Sequence, residues 1–284
     1  MPESEKTTLC QTTQIPYVQF NQGSQPCLFI HANGYPSPCY SPLLQQLKGC
    51  NVWAPLLRPC WDDSDPSDAN QWPRLVSDLV SFARARYQET QQPLVAISHS
   101  MGCIILLRAA LREPQLFSKV VFIDPIFMPS HLVEISRIMP QRLKRKLKLV
   151  KKTLSRPDRW SSLQQAFDFH RPKRAFTALS DPALWQYIIG GTQQVDGKWQ
   201  LIYPKAWEAW FYQNLPRAWR LLRRLELPTL GIKAENSEFL TNAAWQKWQK
   251  IQPNDTFVEF QDQYHLLPLE APNDVAHAIL DFIE

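Results

Sequence analysis

The sequence predicts an α/β fold: a mostly parallel central sheet flanked by helices, with an inserted helical cap. Three observations lead there. Over the first 125 residues, short apolar, β-branched runs alternate with stretches of helical spacing, and such alternation implies a parallel sheet covered on both faces. The alternation stops from Pro125 to Glu226, where helical propensity dominates, and resumes at Leu227. Finally, the buried-strand pattern Leu94–Ile97 turns abruptly at Ser100 into small and aliphatic residues that run on from Gly102 at helical length. A serine at such a corner projects its hydroxyl from the backbone while the next amide, that of Met101, points at the same spot, the geometry of a nucleophile elbow.

Along the chain, Tyr17–Phe20 alternates apolar and polar residues as an early edge strand. Cys27–His31 is a short apolar strand that must stop at the turn cluster His31-Ala-Asn-Gly-Tyr-Pro36. Asn51–Leu57 reads as another strand. In the next segment Trp72, Leu75, Val76, Leu79, Phe82 and Ala83 recur at helical spacing, with Pro73 tolerated in the first turn. Lys119–Asp124 is a buried strand that ends in a polar residue. After the interruption come a strand at Leu227–Lys233, a helical stretch at Thr241–Lys250, a last strand at Thr256–Phe260 and a closing helix at Ala271–Glu284. The expected organisation is a core of residues 1–125 and 227–284 with a cap of residues 126–226.

Apolar residues make up 44% of the 284 and charged residues 20%, with no apolar run near the roughly 18 to 20 residues a bilayer crossing needs. The polar, acidic start lacks the basic-then-apolar pattern of a secretory signal, so a cytoplasmic location is expected. Six scattered cysteines, Cys10, Cys27, Cys39, Cys50, Cys60 and Cys103, read as free thiols. Neither Cys-x-x-Cys nor His-Glu-x-x-His spacing occurs, and no metal or cofactor is expected.

The turn His31–Pro36, the elbow Ser98-His-Ser-Met-Gly102, and Tyr264-His265 with Glu270-x-Pro272 downstream together resemble the α/β-hydrolase superfamily, in its capped serine-hydrolase (esterase/lipase-like) branch. The resemblance runs from about residue 15 to the end and is strong in the core and weak in the cap. It departs at Ser98, where the elbow pattern has glycine, and at Ala32, where the family commonly has glycine. It implies Ser100 as nucleophile and His265 as base, since His265 follows the last strand whereas His277 lies within the closing helix. For the acid, Ala234-Glu-Asn-Ser-Glu238 matches the stretch after the penultimate strand. That makes Glu238 the first choice, with Glu235 beside it and Asp124, at the end of the strand after the elbow helix, as the alternative used by some relatives. The implied oxyanion hole is the amides of Asn33 and Met101, with His31 securing the turn and His99 filling the variable position beside the nucleophile.

The chemistry implied is cleavage of an ester or related acyl bond in a small molecule through an acyl-enzyme. A serine at the elbow argues against the dehalogenase and epoxide-hydrolase branches, which use a carboxylate there. The departures at Ser98, Ala32 and Glu238 instead suit a catalytically inactive binding or scaffold protein of the same fold. Six of the eleven tryptophans fall in the cap, as an apolar or aromatic acyl pocket requires, or as plain cap packing does. From Arg137 to Arg156 there are nine Lys or Arg and no acidic residue, with Leu143, Leu147, Val150 and Leu154 at helical spacing. Such a helix can meet an anionic membrane or an acidic partner, or it can pack its apolar face inward and leave its charges solvated. Without interleaved aromatics the charge does not read as a nucleic-acid site.

Overall fold

The computed structural model describes residues 6–10, 13–63, 66 and 70–284. Its main sheet has eight strands: β1 (Lys6–Cys10), β2 (Thr13–Phe20), β3 (Gln25–Ile30), β4 (Cys50–Pro55), β5 (Leu94–His99), β6 (Phe117–Ile123), β10 (Thr229–Ala234) and β11 (Thr256–Phe260), in the order β1-β2-β4-β3-β5-β6-β10-β11. The pairs β1/β2 and β2/β4 are antiparallel, and every pair from β4 to β11 is parallel. Tyr17–Phe20 lies within β2, second from the edge, because β1 covers it. The only local sign of β1 is the pair of threonines, whose β-branching suits a strand.

Successive residues of a strand face opposite ways, and the sheet feeds two cores accordingly. Leu28, Ile30, Leu94 and Ala96 pack with the Trp72–Thr90 and Met101–Arg112 helices, whereas Phe29, Val95, Ile97, Val121 and Ile232 pack with the closing helix Pro272–Ile283. The six apolar positions anticipated between Trp72 and Ala83 are all buried. The Met101–Arg112 helix lies between sheet and neighbouring helix, and Met101 to Leu107 are buried without a break. This explains why its sequence is apolar rather than amphipathic.

The chain reverses its direction of travel across the sheet at β3: β4 lies on one side of it and β5 on the other. The crevice at the carboxyl ends of such strands is where open α/β sheets place their sites. The His31–Pro36 turn and Ser100 both open onto that point.

Between β6 and β10 run seven helices and a small antiparallel sheet, β7 (Arg159–Trp160), β8 (Thr192–Val195) and β9 (Lys198–Leu201), ordered β7-β9-β8. The segment is mostly helical, as expected, and carries this small sheet besides. The overlooked signal is Asp196-Gly197, whose φ of 51° and 72° close the β8–β9 hairpin, as such pairs do in two-residue turns. The basic stretch is not one helix either. It breaks into Ser130–Ile138, Gln141–Lys144 and Lys148–Ser155, interrupted at Pro140 and before Lys148.

Candidate functional site

Ser100 links β5 to its helix at φ 55°, ψ −115°. A left-handed conformation at a serine costs on the order of 1–3 kcal/mol and persists only where its surroundings impose it. The Ser100 amide donates to the Ile123 carbonyl at 2.9 Å, and the Ser100 carbonyl accepts from the Cys103 amide at 3.2 Å. Gly102 is pressed onto β3: a Cβ there would stand 2.6 Å from the Ile30 carbonyl and 2.7 Å from that of His31. Ser98 is accommodated in place of the usual glycine because it is fully buried and its hydroxyl donates to the Val121 carbonyl at 3.0 Å.

His265 lies in the loop after β11. Glu270 Oε2 accepts from the Tyr264 amide at 2.7 Å, and the Phe239 ring centroid stands 4.3 Å from that of the imidazole. The Ser100 hydroxyl donates to His265 Nε2 at 2.9 Å, and His265 Nδ1–H donates to Asp124 Oδ2 at 2.6 Å. Serine, histidine and aspartate are joined in one hydrogen-bonded chain.

Glu238, the carboxylate the sequence reading puts first as the acid, is not brought to the histidine. Glu238 is exposed and pairs with Arg174 on the surface, and Glu235 accepts from the Asp262 amide at 2.9 Å. Asp124, fully buried at the end of β6, faces the histidine instead. The stretch expected to supply the acid supplies donors to it: the Ala234 amide reaches Asp124 Oδ1 at 3.2 Å, and the Ser237 hydroxyl donates to Oδ2. Three donors satisfy a carboxylate withdrawn from water, which would otherwise be costly to bury.

On the opposite side of Ser100, Met101 begins its helix, so its amide has no carbonyl a turn earlier to bond. The facing turn carries Asn33. His31 holds this turn: its Nδ1–H donates to the Ala32 carbonyl at 2.8 Å and its Nε2 accepts from the Leu57 amide at 2.9 Å. Burial pushes the His31 imidazole down to about 4, against a smaller opposite pull from the Ala32 carbonyl. Gly34, at φ 82°, lies under the buried carboxylate of Glu208; a Cβ there would approach Glu208 Oε2 to 3.1 Å. Glu208 pairs with the Arg156 guanidinium, 3.0 Å from Nη1 to Oε1, and its backbone carbonyl accepts from Asn33 Nδ2 at 3.2 Å.

His99 fills more than a variable position. Its Nε2–H donates to the His265 carbonyl at 2.9 Å, and its Nδ1 accepts from the Tyr40 hydroxyl at 2.8 Å. The Tyr40 oxygen in turn accepts from the Ala32 amide at 3.3 Å. The His31–Pro36 turn, the elbow and the histidine loop are thereby tied through two buried side chains. Burial, and then the neighbouring His265, hold the His99 imidazole well below its ordinary 6.5. Sequence reasoning missed Tyr40 and Ser237 because nothing local marks a tyrosine or serine distant in the chain as a partner of the site.

Four of the tryptophans between residues 126 and 226, Trp160, Trp207, Trp210 and Trp219, are buried. Trp210 packs on Trp72, Trp207 on Phe211, and Trp219 on Phe127. Trp160 packs within the inserted segment, on Phe169 and His170, so the burial of these rings is accounted for by packing.

The model of the alpha/beta hydrolase family matches residues 27–278. The chain belongs to that family. Among solved structures it is similar to an E-2-(acetamidomethylene)succinate hydrolase (TM-score 0.81, 18% identity, covering 99% of this chain and 98% of that one). It is also similar to a peroxisomal alpha-beta-hydrolase of Saccharomyces cerevisiae (TM-score 0.75, 18% identity, covering 100% and 85%) and to a thioesterase domain from the curacin biosynthetic pathway (TM-score 0.72, 17% identity, covering 98% of each). No curated protein sequence matches. At these identities the likeness is one of fold.

Proposed function

We propose that this member of the alpha/beta hydrolase family is a serine hydrolase that cleaves an ester or related acyl bond of a small molecule. The hydrogen-bonded chain Ser100–His265–Asp124 at the sheet's switch point carries the reading. Ser100 Oγ attacks the acyl carbon as its proton passes to His265 Nε2. Asp124 orients the ring and stabilises the imidazolium that forms. The developing oxyanion is held by the amides of Asn33 and Met101. Collapse expels the leaving group, which takes the proton from His265; a water activated by the same nitrogen then releases the acyl group as a carboxylic acid and restores Ser100.

Residues 126–226 act as a cap over this site, supported by the return of the sheet at β10 and by the 5% exposure of Ser100. The buried tryptophans do not favour an aromatic acyl group over an aliphatic one, because packing accounts for their burial. An inactive binding protein has less support, since the reacting side chains are already in hydrogen-bond contact.

The test is a fluorophosphonate probe followed by intact mass on wild type and Ser100→Ala, then aryl esters of increasing acyl length. Labelling confined to wild type supports an activated serine. A folded wild type that neither labels nor hydrolyses any ester, even after the cap is removed, would overturn the proposal.

A further inference from the structure

Among the described residues, nine large apolar side chains are exposed, and seven of them lie between residues 132 and 154: Leu132, Ile135, Ile138, Leu143, Leu147, Leu149 and Leu154. Ile138 is 83% exposed, Leu143 50% and Leu149 44%. Of the four residues expected to form an inward apolar face, only Val150 is buried. The same segment holds Arg142, Arg145, Lys146, Lys148, Lys151 and Lys152, all exposed and none in an ion pair among the described residues. Hydrocarbon and unpaired positive charge occupy one surface.

That surface has a fixed backing. Ser136 Oγ donates to the Gln213 carbonyl at 3.1 Å, and Gln141 Nε2 donates to Gln213 Oε1 at 2.8 Å. The Lys148–Ser155 helix joins the same Lys205–Gln213 helix through Thr153, which reaches Glu208, and through Arg156 just beyond. The first two pieces turn inward one anchor each, Val133 and Lys144, the third turns inward Val150 and Thr153, and most of the other side chains face outward. The face is held in place rather than frayed.

We propose that residues 130–156 dock the protein on an anionic lipid surface, with the aliphatic side chains entering the headgroup boundary and the lysines and arginines meeting lipid phosphates or carboxylates. Interleaved aliphatic and basic side chains match that interface on both counts. A second copy is disfavoured as occupant, because two such faces would bring like charges together. A nucleic acid would use the charge but leave the leucines and isoleucines in water, and the stretch holds no aromatic residue for stacking bases. The inference is independent of the proposed hydrolysis, and its readout is binding alone.

The experiment is sedimentation of the full-length protein with phosphatidylcholine vesicles, with and without about one third phosphatidylglycerol, at low and high salt. Wild type is expected to sediment with anionic vesicles at low salt and to remain in solution with neutral ones. Glutamine at Arg145, Lys148, Lys151 and Lys152 together is expected to weaken binding by roughly 600-fold, at about fivefold per charge near the surface. Serine at Ile138, Leu143 and Leu149 is expected to weaken it with the charges intact. Thermal unfolding checks that both variants are folded, which their exposed positions favour. Wild type that stays in solution with anionic vesicles overturns the proposal, as does binding unchanged in the glutamine variant. A light-scattering mass showing a dimer that the serine variant disperses would assign the face to a second copy instead and overturn it too.

Discussion

At the carboxyl ends of β5 and β6 the chain buries charge and gives it partners, whereas along residues 130–156 it exposes hydrocarbon and leaves most of its charge unpaired among the described residues. Asp124 is fully buried with three donors, and His31 and His99 each use both ring nitrogens. On the outer face the opposite holds: Ile138 is almost fully in water, and the flanking lysines meet no carboxylate among the described residues. Buried polar groups without partners are expensive, so the strand ends tolerate one arrangement. The outer face is constrained by little within the chain itself, which points to something outside it.

Substitutions should divide along the same line. Ser100→Ala is expected to lower fluorophosphonate labelling and ester turnover by at least about 10⁴-fold. Asp124→Asn should lower turnover by about 10³- to 10⁴-fold, while Glu238→Gln stays within about twofold, as a surface ion pair should. A large loss at Glu238 with Asp124→Asn active would return the acid to the first-choice position of the sequence reading.

Glu208→Gln leaves Arg156 without its carboxylate against the His31–Pro36 turn. We expect a loss of about 3 kcal/mol, the scale for breaking a largely buried pair, measured by urea unfolding. An unchanged midpoint would mean that Arg156 finds water.

The buried histidines should make stability sensitive to acid. Burial is the leading cause that takes both His31 and His170 down to about 4 from an ordinary 6.5. Between those values the unfolded chain binds protons that the folded one refuses. The contribution is therefore complete above pH 6.5 and is lost as pH falls toward 4. The melting temperature should drop by several degrees across that window. His31→Asn and His170→Asn should each flatten the slope, and a pH-independent melting temperature would refute the assignment.

Smaller effects should separate positioning from chemistry. Tyr40→Phe removes the hydroxyl between Ala32 and His99, and about a fivefold loss in labelling rate is expected for one buried hydrogen bond. Rates equal to wild type would leave the bridge structural only. At the other pole, glutamine at Arg145, Lys148, Lys151 and Lys152 should leave hydrolysis of a soluble aryl ester within about twofold, because none touches the strand ends. A tenfold loss there would join the two regions that the comparison keeps apart.

What the sequence by itself determined is what local pattern encodes. The elbow at Ser100 is legible because one turn needs compact neighbours, an apolar strand before it and a helix after it. The parallel strands from β3 onward are legible as strands because buried runs of that length have few other uses; their order in the sheet came from the structure. The histidine at 265 follows from its place after the last strand, through the family resemblance. Only the tertiary structure shows which of Asp124 and Glu238 lies against His265. Both follow strands that are neighbours in the sheet, and the β6–β10 register, with Ile123 opposite Ile232, brings the Ala234 amide and the Ser237 hydroxyl onto Asp124 while Glu238 points to solvent. The fate of Leu143, Leu147 and Leu154 was likewise settled there: helical spacing makes a face, but only the packing of other elements against that face determines whether it is covered.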